Sequence, residues 1–435
     1  MSQWLDRLSL VSGPLPVLVA ICGVAGAGWL VARRRRWFLR WALPLSLVTA
    51  AAATAVLYVV VERVWRPFPD PIEKSVYLWI GVGLWAVLLL IPRSLVGRRW
   101  TIPVSVVAAG AVVLAVALHI NQIFYAYPTV GTALGLPDPD RIAFAQVPPP
   151  TGPVVTGRPL EDAWAPQAPG DLPASGKFAT APIPGEKSGY TPRDAVVYLP
   201  PAYFASPRPL LPVLVLLAGQ PGSPEDWLNG GKLTATMDEF ARAHHGLAPV
   251  VVVADGTGSQ LANPLCLDSK LGNVATYLAV DVPAWTKAHL QVDPDPRAWA
   301  VGGLSYGGTC ALQLATNYPK VYPTFLDLSG QEEPTLGDRP RTVDAAFGGD
   351  EAAFVAVNPM DLMKTRRYPD TAGIIVVGNR DDAYRGGAQK VFEAAKDAGM
   401  DVQYVEVPGA HSFSVWSAGL RDELDWLAKR MGLIA

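Results

Sequence analysis

The chain of 435 residues is 50% hydrophobic but only 17% charged, where soluble domains carry roughly 25% charged residues, and its mean hydropathy is +0.22. This apolar content excludes wholesale disorder, and a net charge of −2 with a pI near 6.2 excludes an electrostatic nucleic-acid binder. The three cysteines, Cys22, Cys266 and Cys310, form no CxxC pair, which excludes a disulfide scaffold, a zinc ribbon or a thioredoxin-type site.

Four apolar runs crowd the first 125 positions: Pro14–Ala32, Trp41–Val61, Val76–Ile91 and Ile102–Phe124. Each approaches the roughly 20 residues that cross a hydrocarbon core of about 30 Å. The first lacks a basic leader apart from Arg7 and is followed by an arginine cluster, so it reads as a retained span and not a cleaved signal. Residues 1–125 are therefore expected to form a four-helix transmembrane region in contact with membrane lipids.

Orientation follows from the basic loops. Arg33, Arg34, Arg35, Arg36 and Arg40 separate the first two runs, and Arg93, Arg98 and Arg99 separate the last two. The middle loop balances Arg63, Arg66 and Lys74 against Glu62, Asp70 and Glu73. The two basic loops are expected in the cytoplasm, which leaves the N-terminus and everything after Phe124 outside it, in a multi-pass protein of the cell membrane. The span interiors carry almost no ionisable residue, so the bundle reads as an anchor or lipid-side platform and not a transport path.

Residues 126–173 are rich in Pro, Gly and Ala, with VPPPTGP at Val147–Pro153, a composition that predicts an extended linker. From residue 174 to 435 short apolar runs alternate with helical stretches. Strands are predicted at Ala195–Leu199, Val213–Leu217, Val250–Ala254, Trp299–Val301, Thr324–Leu328, Gly373–Val377 and Val402–Val407. Helices are predicted around Leu233–His244, Val274–His289, Tyr306–Thr316, Gly386–Ala398 and Ser417–Met431. The alternation predicts a doubly wound, mostly parallel sheet covered on both faces.

The sharpest local signal is Gly303-Leu304-Ser305-Tyr306-Gly307, a G-x-S-x-G motif between a strand and a helix. Small residues at both ends allow a tight elbow that lifts the Ser305 hydroxyl above the sheet. A hydroxyl needs a base, and in the elbow hydrolases an acid and then a histidine follow the serine in the chain. Of the five histidines only His411 lies after Ser305, in Pro408-Gly409-Ala410-His411-Ser412-Phe413. The acid falls in Gly378-Asn379-Arg380-Asp381-Asp382, where spacing favours Asp381 with Asp382 as the fallback. Oxyanion donors are expected from the backbone N–H of Tyr306 and, in Ala218-Gly219-Gln220-Pro221-Gly222, from that of Gln220, since Pro221 has none.

Residues 174–435 resemble the putative-esterase branch of the α/β-hydrolase superfamily, which includes esterase D and the mycobacterial mycolyltransferases. The resemblance rests on Val197-Tyr198-Leu199-Pro200-Pro201, Leu217-Ala218-Gly219 with Asp226-Trp227, the Ser305 motif, and His411-Ser412-Phe413 with Trp416. The four-span anchor is similar to that of membrane-bound actinobacterial members. One departure is Ala218-Gly219, where the family commonly has His-Gly in the oxyanion loop.

The expected activity is a membrane-anchored serine hydrolase of the cell envelope acting on acyl-ester or lipid-linked substrates. It would use Ser305, His411 and Asp381 and end in either hydrolysis or acyl transfer to a sugar or lipid hydroxyl. Neither a cofactor nor a metal is expected, since no HExxH or His/Cys cluster is present. The segment Ser329–Arg367 is expected to contribute to the substrate pocket or lid. Cys266 and Cys310 are left as either a pair or two buried thiols. Two rival readings are a non-catalytic envelope binding protein on the same fold and a signalling or lipid-presenting helix bundle.

Overall fold

The computed structural model describes residues 2–5, 7–96, 100–136 and 138–435 and divides into two compact units, residues 1–136 and 137–435. In the first, four helices are long and apolar enough to cross a membrane: α1 (Pro14–Val31), α2 (Phe38–Trp65), α3 (Lys74–Leu95) and α4 (Thr101–Phe124). Their outward surfaces are apolar, as lipid-facing helices require, with Val24, Trp41, Leu78 and Val107 among the exposed side chains.

The helices, nearly free of ionisable residues inside, are nonetheless joined by polar pairs. Trp29 Nε1 donates to Ser105 Oγ (3.3 Å) and Trp85 Nε1 to Ser46 Oγ (3.1 Å), each joining two helices. Glu62 accepts from the Tyr77 hydroxyl at 2.6 Å. Arg93, expected in a loop, lies instead in the last turn of α3. It is buried over the Trp29 ring, with Nη1 3.5 Å from the Ala32 carbonyl at the end of α1. A cation at a helix C-terminus offsets the orphan carbonyls there. Arg98 and Arg99 lie outside the described residues.

The second unit is built on an eight-stranded sheet. Its strands are β1 (Lys177–Ala181), β2 (Ala195–Leu199), β3 (Val213–Leu217), β4 (Val250–Ala254), β5 (Trp299–Leu304), β6 (Thr324–Leu328), β7 (Ala372–Gly378) and β8 (Asp401–Val407). Their order is β8-β7-β6-β5-β3-β4-β2-β1, with β3 to β8 parallel and β1 and β2 antiparallel at one edge. The runs VLVLL and VVVVA of β3 and β4 are fully buried, as a sheet covered on both faces demands. One covering layer holds α7 and α8, bridged by the helix Pro359–Thr365, where α7 is Tyr306–Asn317 and α8 is Arg385–Asp397. The other holds α5 (Leu233–Ala243) and α9 (Phe413–Arg430), which touch each other. The helix α6 (Val282–His289) continues the turns that begin at Val274.

Three differences from the sequence reading have physical causes. β1 lies outside the predicted strands, because KFATA holds one large apolar residue among Ala and Lys, which strands disfavour; pairing with β2 makes it one. β5 runs to Leu304, three residues past its expected end, because Gly302 and Gly303 stay in the ladder opposite Leu326 and Asp327. The Pro-rich segment 126–173 is not one extended stalk: residues up to 136 belong to the first unit, and 138–173 lie on the second. There Val154 pairs with Arg208, the amides of Leu160 and Glu161 donate to Gly432 and Leu433, and Trp164 is fully buried with Nε1 on the His245 carbonyl (2.9 Å). A segment without a core of its own gains order by inserting such anchors into a neighbouring one.

Candidate active site

Parallel strands in this winding present their C-terminal ends to one rim, and the loops after β3, β5, β6, β7 and β8 gather there. Ser305 follows β5 directly, with φ 52° and ψ −119°, a conformation that strains an L-residue. The turn requires small neighbours: a Cβ at Gly307 would lie 2.3 Å from the Leu217 carbonyl oxygen. The elbow is held by Ser305 N donating to Leu328 O (2.8 Å) and by Gly308 N and Thr309 N donating to Ser305 O.

The structure brings three of the predicted residues into one row. His411 Nε2 lies 2.9 Å from Ser305 Oγ, and His411 Nδ1 lies 2.8 Å from Asp381 Oδ2. Asp381 is 3% exposed, whereas the Asp382 side chain is 86% exposed and meets Arg385, which sets the favoured acid apart from its fallback. The acid and histidine loops are laced together: Arg380 N donates to Gly409 O (2.8 Å) and Gly409 N to Asn379 Oδ1 (3.1 Å). His411 is also enclosed by rings. Tyr384 stacks on it at 3.9 Å between centroids and 16° between planes, and Trp416 meets it edge-on at 4.9 Å.

The predicted oxyanion residues lie beside this row. Tyr306 opens α7, whose first N–H groups have no partner within the helix. Its phenol, fully buried and pushed well above its ordinary range by desolvation, stays neutral; it donates to Gly256 O and accepts from Cys266 N, both at 3.0 Å. The loop after β3 runs against the serine, since a Cβ at Gly219 would be 3.5 Å from Ser305 Cβ. Gln220, next in that loop, donates through Nε2 to Leu261 O (2.8 Å).

Further groups surround the site. Burial alone would raise the Asp255 carboxyl, but bonds from Arg193 and its guanidinium charge outweigh burial and hold the carboxyl below its ordinary range. Asp327, in β6, is fully buried, and desolvation pushes it up to about 7 against the Gly330 N–H that donates to it at 2.7 Å. Cys266 and Cys310 form a disulfide that fastens the loop after β4 to α7. The disulfide is one of the two readings the sequence left open for these cysteines, whereas Arg193 and Asp255, 62 residues apart, carried no sequence signal. The segment Ser329–Arg367 carries three short helices organised by Arg339, which pairs with Glu333, Glu351 and Asp361.

The model of the putative esterase family matches residues 190–427, and the whole chain aligns, at 37% identity over 445 residues, with the whole of an uncharacterised protein of Corynebacterium glutamicum. The chain belongs to the putative esterase family. A diacylglycerol acyltransferase/mycolyltransferase of Mycobacterium avium is 31% identical over 166 residues, which cover 34% of this chain and 46% of that one. A ferulic acid esterase structure superposes on 59% of this chain and 99% of its own, with a TM-score of 0.51 at 16% identity, a likeness of fold. The second unit thus has the esterase-like α/β-hydrolase fold, and family membership supports hydrolase or acyltransferase activity.

Proposed function

We propose that this putative-esterase-family protein is a membrane-anchored, extracytoplasmic serine hydrolase that forms an acyl-enzyme on Ser305. The observation that carries the reading is the hydrogen-bonded row of Ser305, His411 and Asp381 at 2.9 and 2.8 Å. In this reading Asp381 accepts Nδ1–H of His411, leaving Nε2 as the base. As Ser305 Oγ bonds to the ester carbonyl carbon, its proton passes to Nε2 and the carbonyl oxygen becomes an oxyanion held by the Tyr306 and Gln220 amides. Collapse breaks the bond to the alcohol oxygen, which takes the proton from His411. Water or an acceptor hydroxyl then gives its proton to His411 and attacks the acyl-enzyme, and Ser305 takes that proton from His411 as it leaves.

Supporting an extracytoplasmic second unit are the arginines between the first two spans and the buried Cys266–Cys310 disulfide, a bond favoured in oxidising compartments. Tethering by four apolar helices favours lipid-linked or envelope acyl esters by proximity. Transfer to a sugar or lipid hydroxyl is the second reading, favoured by the likeness to the Mycobacterium avium acyltransferase. Fluorophosphonate labelling of the full chain in membranes tests the reading. Labelling of wild type that disappears in Ser305→Ala is expected, and folded wild type that takes no label would contradict it.

A further inference from the structure

The loop after β4, from Asp255 to Leu267, touches both predicted oxyanion donors by separate routes. On one side it fixes Tyr306 through the phenol, which bonds Gly256 O and Cys266 N. On the other it holds the loop that carries Gln220: Gln220 Nε2 donates to Leu261 O (2.8 Å) and Gly222 N to Gln260 O (3.2 Å). The two donors sit on different loops, after the paired strands β3 and β5, and beyond that pairing the loop after β4 contacts both, a common brace.

The brace is itself anchored at both ends. At its start, Asp255 is 1% exposed and bound by Arg193 in a fork, Nε on Oδ2 at 3.0 Å and Nη2 on Oδ1 at 2.8 Å. The same Nη2 donates to Gly222 O at 2.9 Å and to Thr257 Oγ1 at 2.7 Å, so one guanidinium ties the brace to the oxyanion loop. A planar fork of this kind fixes direction as well as distance, which an ammonium does not. At its far end, Leu265 and Cys266 adopt positive φ (68° and 52°), Gln313 Nε2 holds Leu265 O at 2.9 Å, and Cys266 is bonded to Cys310 in the second turn of α7.

We propose that Arg193, Asp255 and the Cys266–Cys310 disulfide are positioning residues that set the spacing between the Tyr306 and Gln220 amides through this loop. The inference rests on the serine-hydrolase reading. Oxyanion donors must meet a charge that exists only in the transition state, so a loosened brace lowers turnover while leaving ground-state binding nearly intact.

The test compares kcat and KM for a p-nitrophenyl ester, together with thermal unfolding, in detergent-solubilised full-length wild type, Arg193→Met, Arg193→Lys, the double variant Cys266→Ala/Cys310→Ala, and Ser305→Ala. The expected result is a kcat loss of about 10- to 100-fold in Arg193→Met and in the double variant, with KM within about threefold. Arg193→Lys should recover only part of the loss. If Arg193→Met does not fold, the double variant and Arg193→Lys carry the same comparison. Folded variants with wild-type kcat, or a loss residing wholly in KM, would overturn the brace while Ser305-dependent turnover still stands. Wild-type turnover that survives Ser305→Ala would overturn the serine-hydrolase reading and the brace with it.

Discussion

Tyr384 lies flat on His411, with ring centroids 3.9 Å apart and planes 16° from parallel, on the same imidazole that bonds Ser305 and Asp381 through its two nitrogens. The hydrogen bonds set where the imidazole points within its plane, and the stacked phenol limits how that plane tilts. It also presents a π face to the imidazolium that forms during attack.

Replacing Tyr384 by Leu removes the ring and should lower kcat on a p-nitrophenyl ester by about 3- to 10-fold, a loss of order 1 kcal/mol as expected for one aromatic contact. Tyr384→Phe keeps the face and should stay within about twofold of wild type. Equal losses in the two variants would assign the effect to the hydroxyl instead.

Asp381 and Asp382 are adjacent in the chain and opposite in environment, one buried against His411 and one facing solvent. Asp381→Asn should lower kcat by up to about 10⁴-fold, because the amide favours the wrong imidazole tautomer. Asp382→Asn should leave kcat near wild type. Steady-state kinetics on the two variants reads this directly.

Asp327 gives a pH-dependent prediction. Its folded value, raised by burial to about 7, exceeds the roughly 3.9 of an unfolded aspartate, so the folded state binds the extra proton between these values. The group favours folding most below about pH 3.9, and that contribution is lost as pH rises toward 7. Asp327→Asn can keep the acceptor for Gly330 N–H but does not titrate. Thermal unfolding should therefore show the variant gaining stability relative to wild type between pH 5 and pH 8. A difference independent of pH would contradict it.

Trp164 tests where the second unit begins. Fully buried and bonded to His245 O, it belongs to the core beside the sheet although it lies in a segment that reads as linker. Trp164→Ala should destabilise the second unit by about 3–5 kcal/mol, measured as a lowered unfolding midpoint. An unchanged midpoint would restore the stalk.

What could be read from the sequence was local. The four spans follow from run length alone, and Ser305 follows from a strand, a turn and a helix in one stretch of chain. His411 was reached by elimination, since no other histidine follows the serine. Spacing favoured Asp381 but left Asp382 as a fallback, because the choice depends on which carboxylate the loop turns inward. Arg193 was invisible because its partners lie 29 and 62 residues away, a distance at which no periodicity operates. Arg93 was misplaced for a related reason: basic residues mark span ends by composition, and only packing against Trp29 and Ala32 draws this one into the bundle.

The proposed reaction passes through one covalent bond, an ester between Ser305 Oγ and the acyl group of the substrate. Mass analysis of the peptide containing Ser305, after brief reaction with a p-nitrophenyl ester and an acid quench, reads that bond directly. The peptide is predicted to gain the mass of the acyl group in wild type and to gain nothing in Ser305→Ala, with release of p-nitrophenol lost in step. Turnover that persists in Ser305→Ala would contradict the account.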